Sequence, residues 1–340
     1  MLFDPKPHLI VPWAQCSGDD WLRTVSPLVL KNFSQLLRGM KQVDTDQTLA
    51  DSLSPPHERV LAKALGLSAS ADGLIPWAAH EAQAAPGQAW AFITPCHWAM
   101  GREHAVLTDP ATLNLPEDQS RALLAAMQPY FATEGIVLHY ATPTRWLAQG
   151  DIFRGLPTAS LDRVLGRNLD KWLPGAERSP PPQAMQAISA PLGGSALPDV
   201  TGGQARRIRR LQNEMQMLLY THPINDDRST KGQRSVNSLW VSGSGALNEI
   251  AITKPQLVLT RALAHAAFSD DWAAYSTAWT QLDAADIAPL LAQQNSGKTV
   301  RISLCGETKA ITFETTQHGI LTQIKNTFKP WPPMNVLKQL

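Results

Sequence analysis

Apolar residues along the chain recur with two periods, every second position over short runs and every third or fourth over longer ones. These are the signatures of half-buried strands and of amphipathic helices. Short runs at His8–Val11, Trp90–Ile93, Ile136–Tyr140 and Val236–Val241 predict strands, and Leu257–Leu259 leads into a helical region. The pair Val300–Cys305 and Ala310–Phe313 predicts a hairpin turning at Gly306 to Lys309. Among the longer runs, Trp21 to Met40 carries Val29, Phe33, Leu36 and Leu37 on one helical face. Behind Pro55 and Pro56, which suit a helix entry, Val60, Leu61, Ala64 and Leu65 form a stripe that ends at Gly66. Leu123, Leu124, Met127 and Phe131 form another, closed by Gly135. Leu161, Val164, Leu165 and Leu169 predict a helix whose charges Asp162, Arg163, Arg167 and Asp170 face solvent, with Arg163 or Arg167 free to meet an anion. Trp272, Tyr275 and Trp279 read as core at helical spacing, and the tail from Pro330 as surface. Strands and helices that alternate in this way predict an α/β fold.

Composition narrows the class. A chain of 340 residues with 44% hydrophobic content is long enough for two domains. Its net charge of +1 speaks against nucleic acid as a partner. No apolar run approaches the length of a membrane span or of a signal-peptide core. Cys16, Cys96 and Cys305 lie far apart, which implies no disulfide framework and makes the cytoplasm the expected compartment. Residues 175–203 are rich in proline and glycine and read as a linker.

Candidate chemistry concentrates between Gln204 and Gly245. Ile208, Leu211, Met215 and Leu218 predict a helix over 204–220 that Pro223 ends, followed by a polar loop from Asn225 to Ser235. The strand Val236–Val241 then opens into Ser242-Gly243-Ser244-Gly245, read as a glycine turn where backbone N–H groups can approach an anion. Within that stretch Arg228 either grips a phosphate or pairs with Asp226, Asp227 or another carboxylate to hold its loop. His57 and Glu58 sit in the first turn of the helix behind Pro56, where a carboxylate complements the helix dipole. Cys96, His97, Arg102, His104 and Asp109 fall close together, but the spacing of the histidines defines no common face. A hairpin turning at Gly101 is the preferred reading there, and no metal is expected.

The run His222, Pro223, Asn225, Arg228, Gly232, Asn237, Gly243 and Gly245 resembles a stretch of the archaeal-type cofactor-independent phosphoglycerate mutases of the alkaline phosphatase superfamily. Ser54-Pro55-Pro56, the strand and helix between Ala91 and Glu117, and Arg145 after a strand resemble further pieces of that family in the same order. The resemblance implies an alkaline-phosphatase-like core sheet flanked by helices, built from residues 1–74 and 221–340. A smaller inserted α/β domain would span 75–174, and the helix 204–220 would return to the core. It also implies a phosphorylated-ligand site at Arg145, His222, Asn225, Arg228, Asn237, Gly243 and Gly245. The family holds two divalent metals, yet here Val11-Pro12-Trp13-Ala14 stands where its first metal aspartate follows a strand. His57-Glu58-Arg59 replaces its nucleophilic serine step, and no late Asp-x-x-x-His motif occurs near Asp270, Asp271 or Asp283. The chain therefore resembles a divergent, metal-less proteobacterial relative, a pseudoenzyme with no cofactor that serves regulation by binding a small phosphorylated ligand or a protein. The alternative is an enzyme, a mutase or other phosphoryl-transfer catalyst, rearranged to use His57 and Glu58 as acid or base.

Overall fold

A computed structural model describes residues 6–101, 103–176, 200–249, 256–316 and 333–340. The chain is a mixed α/β protein that divides into two compact units. The first comprises residues 1–50, 55–66 and 252–340, and the second comprises residues 51–54 and 67–251.

In the first unit, with strands numbered along the whole chain, β1 (His8–Val11), β2 (Met40–Gln47), β9 (Leu257–Leu259), β10 (Arg301–Cys305) and β11 (Lys309–Thr315) form one sheet. Its order is β2-β11-β10-β1-β9, parallel from β10 through β1 to β9 and antiparallel beyond β10. Helices cover both faces. Leu9, Val11, Ile302, Leu304, Ile311 and Phe313 point into the larger core, which they share with Phe33, Tyr275 and Trp279. Ile10, Cys305 and Ala310 point the other way, onto Val60 of the helix Pro56–Leu65. That helix forms where the sequence requires it, because Pro56 occupies its first turn and Gly66 ends it at φ 73°, a conformation glycine adopts without penalty.

Several expectations need correction here. The predicted helix over Trp21 to Met40 is two helices, Asp19–Val25 and Lys31–Arg38, separated around Pro27, and Val29 is 77% exposed between them. The stretch that follows, for which the sequence predicts no element, is the edge strand β2, held by β11 alone in this sheet and largely exposed, so no buried face marks it in the sequence. The tail is only partly a surface feature, since Val336 and Leu337 of the helix Pro333–Leu337 are fully buried.

A polar chain crosses the sheet face beneath the helix Pro56–Leu65. His8 Nε2 lies 2.8 Å from Ser303 Oγ, which lies 2.6 Å from Thr312 Oγ1. Burial, helped by the nearby Arg301 guanidinium, pushes His8 down to about 4. The imidazole is neutral in the folded chain at pH 7. Because its folded pKa is depressed, the unfolded chain binds a proton first, and stability is lost as pH falls from about 6.5 towards 4. The loss attributable to His8 should reach about 2 kcal/mol at pH 5. Denaturant titrations of wild type and His8→Gln at pH 7 and pH 5 measure it as the difference in slope with pH. Parallel pH dependences would refute the assignment.

In the second unit, β3 (Ala89–Cys96), β6 (Val137–Thr142), β7 (Arg145–Gln149) and β8 (Ser238–Ala246) form an antiparallel sheet of order β6-β7-β3-β8. The helix Glu117–Thr133 joins β3 to β6, and the helix Val200–Tyr220 precedes β8. This is the βαββαβ arrangement of a split βαβ fold. Both helices pack on one face, where Leu123, Met127, Phe131, Ile208, Leu211 and Met215 meet Ala91, Ile93 and Trp146. The fourth strand of the motif is β8, so residues 221–249 belong with this unit and not with the first, contrary to the boundary drawn from sequence. A separate hairpin, β4 (Trp98–Met100) with β5 (Ala105–Leu107), matches the expected turn at Gly101. The predicted solvated helix around Leu161 is the short helix Leu161–Val164 followed by a single 3-10 turn, and its Asp162 and Arg163 are buried. Most of the expected linker, residues 177–199, lies outside the described residues.

Candidate functional site

The residues singled out by sequence fall in three places. His57 and Glu58 belong to the first unit. His57 is 2% exposed at the start of the helix Pro56–Leu65, on a side turned inward, and Glu58 is half-buried beside it.

In the second unit, Asn225 and Arg228 reach one short segment, Arg234 to Asn237, which leads into β8, and His222 begins the helix that carries them. The helix Val200–Tyr220 ends just before Pro223, as expected, and Pro223 also begins a new helix. With its fixed φ and no N–H it suits the first helical position, and the helix Pro223–Thr230 occupies the stretch read as a polar loop. His222 caps that helix, its Nδ1 accepting from the Ile224 N–H at 3.3 Å. The Asn225 amide is fully used: Nδ2 donates to the carbonyls of Leu219 and Val236 at 2.8 and 2.7 Å, and Oδ1 accepts from the Val236 N–H at 2.9 Å. Arg228 is 0% exposed. Its Nε donates to the Arg234 carbonyl at 2.8 Å, Nη1 to Gln119 Oε1 at 2.9 Å and Nη2 to the Leu113 carbonyl at 2.5 Å. Burial lowers its pKa from the ordinary guanidinium value. The guanidinium does hold a loop, as one reading expected, but through neutral oxygens instead of Asp226 or Asp227; Asp227 pairs with Lys231 at 2.7 Å.

Asn237 and His97 complete the arrangement from opposite sides. Asn237 Oδ1 accepts from the Trp98 N–H at 2.7 Å, and its Nδ2 donates to the Trp98 carbonyl at 3.0 Å. His97 Nδ1 donates to the Ser235 carbonyl at 2.9 Å, which fixes the proton on that nitrogen because a carbonyl can only accept. Burial lowers the His97 pKa. Asn225, Arg228 and His97 thus form a latch on the main chain of residues 234–236, and Asn237 ties the end of that segment to Trp98. Gln119 and the carbonyls of Leu113 and Leu219 are the members sequence reasoning missed, and main-chain acceptors leave no signal in side-chain patterns.

Gly243 and Gly245 lie inside β8, not in a turn. The ladder between β3 and β8 slips between Trp90 and Phe92, a bulge at which Gly243 takes φ 60° and Gly245 φ 144°. A Cβ on Gly243 would stand 2.8 Å from Phe92 Cδ2 and 3.0 Å from Trp77 Cβ, and one on Gly245 would stand 3.1 Å from Pro76 Cβ. The glycines admit these neighbours to the strand. Arg145 lies on the same face, its guanidinium 4.9 Å from the Phe92 ring centre and its Nη1 2.9 Å from Glu81 Oε2, and it is solvent-exposed.

The remaining place is the carboxyl end of β1, beside β10 and β9, because open parallel sheets present ligands at such strand ends. Trp13 follows β1 at φ 57°, in the left-handed region that residues with a side chain rarely adopt. Its indole is buried edge-on against Phe268 at 4.8 Å, and its carbonyl accepts from Tyr275 Oη at 2.7 Å. Trp21 Nε1 donates to the same Tyr275 hydroxyl at 3.2 Å. Burial pushes the neighbouring Cys16 thiol up to about 12, so it is protonated at neutral pH. Two of the late aspartates act as caps. Asp271 accepts from the Ala274 N–H at 2.9 Å, and Asp283 accepts from the Asn32 and Phe33 N–H groups at 3.2 and 2.8 Å. Among the described residues no three His, Cys, Asp or Glu side chains converge as a cation site, and no helix is long and apolar enough to cross a membrane.

No family model matches the chain, and no curated protein does. Among solved structures it is similar to a protein from Pyrococcus horikoshii, at 9% identity and a TM-score of 0.40, over 92% of this chain and 87% of that one. It is likewise similar to a cofactor-independent phosphoglycerate mutase from Thermoplasma acidophilum, at 12% identity and a TM-score of 0.34, over 98% of this chain and 99% of that one.

Proposed function

We propose that this protein works by binding a partner protein and carries out no phosphoryl transfer. The observation that supports the reading is Trp13. At the carboxyl end of β1, where the sequence resemblance calls for an aspartate on a divalent cation, the chain holds a buried indole whose backbone is tied to Tyr275. Two divalent cations would need several converging carboxylate or imidazole donors there; Asp270 and Glu307 lie near Cys16, but among the described residues no three such side chains converge. The alternative acid or base, His57, is 2% exposed, so a substrate could touch it only if its helix left the sheet. Of the polar side chains that could form a phosphorylated-ligand pocket, Asn225, Arg228 and Asn237 spend their hydrogen bonds on and around the latch, and Arg145 pairs with Glu81 instead of joining them. Three buried cysteines, all free thiols, keep the cytoplasm as the compartment we assign.

The intact chain should be assayed with 2- and 3-phosphoglycerate and with para-nitrophenyl phosphate, each with and without added manganese. The expected result is no turnover above the protein-free blank. Turnover that follows the protein through successive purification steps would overturn the reading.

A further inference from the structure

The first unit carries a groove of about 340 Å³ along one side of the helix Lys31–Arg38. Its apolar wall is made by Leu28, Val29, Leu30 and Met334, and Lys31 and Arg38 stand in its lining with Ser34 and Gln35 between them and no acidic side chain. Both cations are exposed, and neither makes an ion pair with a described residue, unlike Arg23, Arg59 and Lys63 of the same unit. Seven residues separate them, which is two helical turns. They therefore project on one face about 10.5 Å apart along the axis. Val29, at 77% exposure, lies with its apolar neighbours at the mouth of the same groove.

We propose that this groove docks an acidic amphipathic helix of a partner protein. The inference rests on the binding-protein reading above and names its partner class. A helix laid alongside Lys31–Arg38 with two carboxylates seven residues apart would meet both cations in register. Residues three and four positions after the first carboxylate would then face Ser34 and Gln35, and apolar residues on the flank turned towards Leu28, Val29 and Met334 would cover the apolar wall. The apolar contacts would supply affinity, and the paired charges would set register and the rate of encounter.

The test uses a synthetic, dye-labelled helical peptide of about fourteen residues, with glutamates seven apart and leucines between them. It is titrated against the intact chain by fluorescence anisotropy. The expected result is saturable binding that weakens with salt. Binding should fall at least tenfold in Lys31→Glu/Arg38→Glu, and a peptide with lysines in place of the two glutamates should recover it against that variant. Circular dichroism of the variant should be unchanged, since both side chains are exposed. Absence of saturation at millimolar peptide, or binding indifferent to charge reversal and to salt, would overturn the proposal. Concentration-dependent self-association in sedimentation that the double variant abolishes would overturn it too, by giving the groove to a second copy of this chain. Phosphoester turnover by the wild type would instead sink the underlying reading, whatever the peptide does.

Discussion

Arg228→Lys is expected to lower the stability of the second unit by about 3 kcal/mol while leaving the affinity for any phosphorylated compound unaltered. The guanidinium is fully buried and spreads its donors over the Arg234 carbonyl, the Leu113 carbonyl and Gln119 Oε1. Hydrogen bonds from a charged donor contribute about 1.5–3 kcal/mol each, and an ammonium, compact and strongly hydrated, can keep one of the three at best. The lost partners, drawn from two main-chain carbonyls and the Gln119 amide oxygen, are left dry, and the lysine charge stays buried without a carboxylate beside it. At roughly 2–4 °C per kcal/mol for a unit of this size, the thermal midpoint should fall by roughly 6–12 °C. Asp226→Asn is the contrast: Asp226 is exposed and no bond from it to Arg228 exists, so its midpoint should stay within a degree or two of wild type. Scanning calorimetry with and without 3-phosphoglycerate decides between the two roles considered for Arg228. A variant as stable as wild type, or a wild type whose midpoint rises with phosphoglycerate while the variant's does not, would return Arg228 to a ligand site.

Arg228 also shows where sequence reading stops. Its chemical character is visible from its type and setting, but its acceptors are carbonyls, one of them 115 positions away in the chain, and carbonyls occur at every residue. Elements whose ends carry local chemistry were legible. The helix Pro56–Leu65 announces itself by Pro56 and Gly66, and the helix Glu117–Thr133 by its stripe and by Gly135 at φ 72°. The hairpin β10–β11 was legible because one face alternates into a core. β2 was not, since it is an edge strand with few buried positions and therefore no alternation to read. The ambiguity at Pro223 is intrinsic, because proline both ends helices and begins them. What settles it is the His222 cap and the Asn225 bonds to Leu219 and Val236, which are tertiary facts. The glycines of β8 pose the same problem, for tight turns and strand bulges share a composition, and only the register of β3 tells them apart.

Those glycines make the sharpest test of the bulge. Gly243→Val should cost about 3–5 kcal/mol, and Gly243→Ala somewhat less. A side chain at φ 60° costs about 1–2 kcal/mol in backbone energy, more for a β-branched residue. The new Cβ must also displace the Phe92 ring at 2.8 Å and the Trp77 side chain at 3.0 Å, and forced repacking of that kind typically costs about 1–3 kcal/mol. Phe92 can yield only by disturbing the Arg145 guanidinium stacked on it. Gly203→Ala supplies the opposite sign, because Gly203 lies within the helix Val200–Tyr220 and an added Cβ there meets nothing within 4 Å. Alanine in place of glycine at such a position should stabilise by about 0.5–1 kcal/mol. Denaturant unfolding of the three variants beside wild type should rank Gly203→Ala above wild type, then Gly243→Ala, then Gly243→Val. Were Gly243 the mobile glycine of an open anion-binding turn, its alanine variant would lose only the backbone term, about 1–2 kcal/mol. A Gly243→Ala loss of no more than about 1–2 kcal/mol would therefore remove the packed bulge and restore the turn.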